Sequence, residues 1–158
     1  MRLGEKELTR WGERIGETLD APAFLGLQGP LGAGKSVLAR AIGQGLGVSQ
    51  PMPSPSFNLL FRYPASLGIQ VVHLDLYRLS SPDELWELGW EELGQPNEII
   101  LVEWPERAGR FLPLDHWLIE LAPVAGKPLL RDVGAVRVGH PPELAGFPMT
   151  IAWGVARP

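Results

Sequence analysis

The chain has 158 residues, 45% of them hydrophobic and 20% charged, which fits one folded core and excludes bulk disorder. Cysteine is absent, so disulfides, thiolate metal sites and thiol nucleophiles are excluded. The formal charge of −4 argues against autonomous nucleic-acid binding, because phosphate contacts supply most of that affinity.

No apolar run approaches the ~18 residues of a membrane span. Met1 to Glu7 carries acids and lacks a hydrophobic signal core, so a cytoplasmic protein without membrane association is expected. Glu5 to Leu19 places Leu8, Trp11, Ile15 and Leu19 at helical spacing, and Asp20-Ala21-Pro22 ends that helix. Ala23 to Gln28 reads as a short buried strand. A Gly-rich turn comes next, then a helix from Lys35 to Leu46 with Gly47 as its stop. Three prolines between Pro51 and Pro55 mark a loop, and Phe57 to Tyr63 has strand character. Gln70 to Asp75 and Glu98 to Glu103 are two further buried-strand patterns, each ending in an acid. Between them, Ser81-Pro82-Asp83-Glu84 has the form of a helix start.

Beyond Pro113 the pattern becomes β-like, with Trp117 to Leu121 and Val133 to Val138 as strands. These are expected to add antiparallel members at one edge of the sheet. Phe147 to Trp153 reads as either a last strand or the start of a mobile tail. The alternation of strand and helix predicts one α/β domain. Its expected form is a three-layer fold, with a largely parallel central sheet and antiparallel edge strands.

Gly29-Pro30-Leu31-Gly32-Ala33-Gly34-Lys35-Ser36 matches the eight-residue phosphate-binding loop in full, with a strand leading in and a helix leading out, so the three-layer α/β domain is expected to be P-loop NTPase-like. Glycines let the backbone curl its N–H groups around phosphate oxygens, and the helix start adds further unpaired amides. In such a loop Lys35 sits against the β- and γ-phosphates and the Ser36 hydroxyl ligates Mg²⁺. An acid at the end of a neighbouring strand completes the metal site, and Asp75 and Glu103 are both candidates. One would hold the metal and the other orient the attacking water; spacing does not assign the two roles. Ser54 and Ser56 are candidate γ-phosphate sensors in the loop after the helix. Arg107 and Arg110 are candidate charge stabilisers or a solvated face.

The P-loop, Ser54-Pro55-Ser56-Phe57, His73-Leu74-Asp75-Leu76-Tyr77-Arg78-Leu79 and Glu103-Trp104-Pro105-Glu106 together resemble the TsaE family, also called YjeE. The four segments occur in family order over roughly residues 5 to 113. The resemblance implies an ATP- and Mg²⁺-binding protein that hydrolyses ATP slowly on its own. It would support the TsaD–TsaB complex in threonylcarbamoylation of the adenosine beside the anticodon, in tRNAs reading codons that begin with A. The tRNA would be held mainly by those partners. By the same resemblance, Ser36 and Glu103 are the Mg²⁺ ligands, and Asp75 acts through water near the γ-phosphate. Lys35, Asp75 and Glu103 would carry the catalysis. Leu31, Gly32, Ala33, Gly34, Lys35 and Ser36 would contact nucleotide, together with Asp75, with Glu5 ahead of the first helix body, and with a basic residue of the later strands. Lys127 is the first choice for that basic residue and Arg131 the second. The motifs also admit a small-molecule P-loop kinase, or a nucleotide-sensing module that docks a partner without hydrolysis.

Overall fold

The computed structural model describes residues 1–55 and 59–147. Ser56, Phe57 and all of the last segment after Phe147 lie outside the described residues. The strands are β1 (Arg2–Gly4), β2 (Ala23–Gln28), β3 (Leu60–Pro64), β4 (Gln70–Asp75), β5 (Glu98–Glu103), β6 (His116–Val124) and β7 (Lys127–Val138). The α-helices are α1 (Glu5–Thr18) and α2 (Lys35–Gly45). All seven strands join one sheet in the order β1-β7-β6-β2-β5-β4-β3. The four central strands β6, β2, β5 and β4 run parallel. Antiparallel strands stand at both margins, β3 on β4 and the β7–β1 pair on β6.

The topology corrects one expectation and extends others. The segment around Trp117 to Leu121 does not add to an antiparallel edge; β6 pairs parallel with β2, inside the sheet. The run expected from Val133 starts at Lys127, because β7 continues outward to pair with β1. The helix start at Ser81 is real, with the Ser81 hydroxyl accepting from the Asp83 N–H. The turns it opens, Pro82–Leu88, form a 3₁₀ helix and not an α-helix, and Gly89 stops it in the left-handed region at φ 74.

The two faces of the sheet are covered differently. On one, α1 buries Leu8, Trp11 and Ile15, and α2 buries Leu38 and Ile42, against Leu25, Leu27, Ile99 and Leu101. Each such side chain contributes roughly 1.5–3 kcal/mol when fully buried. The helices meet closely because α1 offers Gly16 where a Cβ would run into the Ile42 carbonyl. On the other face Phe24, Val72, Leu74, Ile100 and Val102 pack under Leu85, Trp90 and Ala108, all carried by short 3₁₀ turns.

The parallel strands place the carboxyl ends of β2, β4 and β5 side by side. In an open α/β sheet this end is where ligands bind.

Candidate nucleotide site

The loop from Gly29 to Gly34 joins the buried strand β2 to α2. Gly32 and Gly34 hold φ of 76 and 106, backbone conformations that an L side chain resists. α2 begins at Lys35, so its unpaired amides and positive dipole end face the loop. Lys35 is only 5% exposed, and its Nζ donates to the carbonyls of Gly29 (2.6 Å) and Pro30 (2.8 Å). Burial pushes its ammonium below the usual lysine range, against the opposing pull of Glu103, Asp75 and Glu106. The same Nζ lies 4.2 Å from the centre of the Trp104 ring. Trp104 adopts φ 60, which is unusual for a bulky residue and typical of backbone held at functional sites.

The two acids close the other side. Asp75 and Glu103 end their strands directly opposite each other in the β4–β5 register. The Ser36 hydroxyl lies 2.9 and 3.1 Å from the two carboxylate oxygens of Glu103. Glu103 Oε1 also lies 2.9 Å from His73 Nε2. Asp75 Oδ1 accepts the Tyr77 N–H at 2.9 Å, and its Oδ2 is 3.5 Å from the Ser54 hydroxyl. Burial raises the Asp75 carboxyl above its ordinary range; the Tyr77 amide works against this and Glu103 reinforces it. Two nearly buried carboxylates thus face each other, while the nearby ammonium is engaged with carbonyls. A hydroxyl and carboxylates beside a phosphate loop are the hard oxygen donors that Mg²⁺ takes when phosphates supply further ligands. The residues present fit that ion.

Two hollows meet at the loop. One, of about 430 Å³, is lined by Leu31 to Ser36, Ser54, Asp75, Tyr77, Glu103 and Trp104. The other, of about 630 Å³, shares Gly32, Ala33 and Gly34 with it and adds Glu5, Leu130 and Arg131. Arg131 reaches the loop itself: Nε donates to Ala33 O at 3.0 Å and a terminal nitrogen to Gly32 O at 3.2 Å. Lys127 begins β7, is exposed, and is not among the described residues lining either hollow. Of the two basic candidates, Arg131 is the one beside the loop. Arg107 donates to Leu79 O and Arg110 lies against the Phe111 ring, so both engage the chain's own surface. A third hollow, of about 520 Å³, opens at the other end of the strands, among Phe24, Trp90 and Phe111, away from this chemistry.

The sequence model described as "Threonylcarbamoyl adenosine biosynthesis protein TsaE" matches residues 4–128. The chain belongs to the TsaE family. A relative from Nostoc sp., named tRNA threonylcarbamoyladenosine biosynthesis protein TsaE, is 40% identical over 109 residues, which is 66% of this chain and 67% of that protein. The protein of the same name from Haemophilus influenzae is 34% identical over 122 residues, 74% of this chain and 77% of its own. The crystal structure of Bacillus subtilis YdiB superposes with a TM-score of 0.67, covering 88% of this chain and 84% of that one. At 24% identity that likeness speaks for the fold alone. The family match covers the P-loop, both acids and His73; it ends before Arg131.

His73 is the neighbour of the site that motif reading does not single out, while Arg131, the second choice for the basic residue, stands at the loop in place of Lys127, the first. His73 sits in an apolar run, where histidine reads as core. Lys127 and Arg131 stand on either side of a register shift between β6 and β7, so simple alternation along the sequence does not tell them apart.

Proposed function

We propose that this chain is an Mg²⁺-dependent ATP hydrolase of tRNA threonylcarbamoyladenosine biosynthesis. It would support a TsaD–TsaB complex that modifies the adenosine beside the anticodon and itself holds the tRNA. The pathway reading rests on membership of the TsaE family and on the names its relatives bear. The ATPase reading rests on one observation above others: Lys35, Ser36 and Glu103 converge at the carboxyl end of the phosphate-loop strand. One sheet joining every described strand supports reading the chain as one domain. No described helix is long and apolar enough to cross a membrane, and tRNA modification would place the work in the cytoplasm.

In this reading the triphosphate lies along the loop and the nucleoside extends into the hollow between Glu5 and Arg131. Phosphate oxygens replace the Gly29 and Pro30 carbonyls as acceptors for Lys35. Ser36 and Glu103 would hold Mg²⁺, which neutralises charge on the transferring phosphoryl group. Asp75 orients water and accepts its proton, a role that its burial-raised affinity for protons suits. Water adds to the γ-phosphorus, the bond to the bridging oxygen breaks, and ADP and phosphate leave. Lys35 and the loop amides act by position and fixed charge.

The test is tRNA modification reconstituted with TsaD–TsaB, with and without this chain, over several turnovers, with phosphate release followed in parallel. The expected result is sustained turnover and phosphate release only when the chain is present. Equal turnover without it refutes the reading. ATP-dependent docking with no phosphate release makes it a nucleotide-sensing module, and ADP formation that requires a small-molecule acceptor makes it a kinase.

A further inference from the structure

His73 is fully buried, between the apolar Val71, Val72 and Leu74 of β4, and only one of its ring nitrogens is engaged. Nε2 lies 2.9 Å from Glu103 Oε1, while Nδ1 is buried without a partner among the described residues. An ionised carboxylate only accepts, so the proton on this contact belongs to Nε2. That tautomer leaves Nδ1 as a bare acceptor, which costs less than an orphaned N–H in the interior. A fully buried polar ring with one engaged atom is poor core packing; a Leu or Val there would avoid the orphan. The strand geometry explains what the ring does. His73 and Asp75 point to the same face of β4, and Glu103 is paired with Asp75, so His73 approaches Glu103 on the diagonal. From there it meets the same carboxylate oxygen that the Ser36 hydroxyl meets at 2.9 Å.

We propose that His73 is a positioning residue: its Nε2–H pins the Glu103 carboxylate in the rotamer that faces Ser36. A free glutamate at a strand end samples several rotamers, and a donor on one oxygen selects one of them. The consequence is affinity for the metal without contact to it, since partners that orient a ligating carboxylate typically change metal affinity 10–100-fold. The inference rests on the Mg²⁺ reading of Ser36 and Glu103 above.

The experiment compares His73→Met with His73→Gln in the full chain. Met and Gln are close in length and volume, but only Gln carries an N–H where Nε2 stands. A fluorescent ADP analogue is titrated in EDTA and then across a range of Mg²⁺ concentrations. For H73M the Mg²⁺ concentration at half-effect should rise at least about 10-fold, with affinity in EDTA unchanged. H73Q should titrate close to wild type. H73M behaving as wild type overturns the proposal, and so does H73Q failing as badly as H73M, since volume and not the donor would then matter. If H73M does not fold, His73→Asn takes its place, because its shorter amide does not reach Glu103; a wild-type Mg²⁺ response in H73N overturns the proposal. A wild-type chain whose nucleotide affinity ignores Mg²⁺ refutes the metal reading itself, and the inference falls with it. Failure of the variants alone refutes only the inference.

Discussion

Replacing Asp75 with Asn should make the protein more stable and less active. In register, Asp75 and Glu103 are directly opposite on adjacent parallel strands, which lie ~4.7–4.9 Å apart. Two charges roughly 5 Å apart repel by about 3 kcal/mol at an effective dielectric near 20. Burial of the charge is the larger cost and adds to this repulsion, while the Tyr77 amide offsets more of the total than Lys35 does. The Asn side-chain oxygen keeps the Tyr77 bond, so the substitution removes mainly the repulsion and the burial cost of the charge. A net gain of about 0.5–2 kcal/mol is expected, the range of single stabilising changes. At about 2–4 °C per kcal/mol for a chain of this size, the melting point rises by roughly 1–8 °C. The sign with pH is set by the raised carboxyl. The folded chain binds this proton more tightly than the unfolded chain does. The penalty is therefore absent below the ordinary carboxylate range, grows as pH rises towards the raised value, and is complete above it. Melting curves of wild type and D75N in EDTA, near neutrality and near pH 3, test this. D75N melting below wild type at neutrality, or a gain undiminished in acid, would refute the reasoning.

Three other outcomes are expected. Lys35→Met should lower single-turnover phosphate release by about 10²–10³-fold, the cost of losing one preorganised donor to developing charge; unchanged release would remove Lys35 from the site. Arg131→Met should weaken binding of ADP while Lys127→Met leaves it intact, because only Arg131 bonds the loop carbonyls; equal effects in a binding titration would contradict that assignment. Gly16→Ala should lower the melting point. Alanine gains about 1 kcal/mol of helix propensity, but its methyl meets the Ile42 carbonyl, a backbone group that has no rotamer to escape to. Overpacking of this kind costs typically 1–3 kcal/mol, so the loss wins.

Much of the site was legible in the residues alone because its parts are local. A phosphate loop is eight consecutive residues, and the acids of β4 and β5 stand at the ends of apolar runs that read as strands without ambiguity. The features that escaped such reading depend on pairing between distant segments. The three-residue β1 carries too little pattern to register as a strand, and it exists because β7 offers it an edge. The direction of β6 relative to β2 is set by how the chain returns across the sheet, which apolar content does not encode. At Pro82–Leu88 the cap and the first-turn acids are as expected, yet packing over Val72 and Ile100 in seven residues takes the tighter 3₁₀ coil. His73 looks like core because it is core; its use appears only once Glu103 is seen beside it.

The strand order also distributes stiffness. β2, which delivers the phosphate loop, is bonded to a parallel neighbour on each side, so it does not move without opening two ladders. β4, which delivers Asp75, is likewise braced on both sides, by the parallel β5 and the antiparallel β3. Both walls of the site are therefore anchored by two ladders each, so a phosphate chain meets Lys35, Ser36 and Asp75 at positions the sheet has already set.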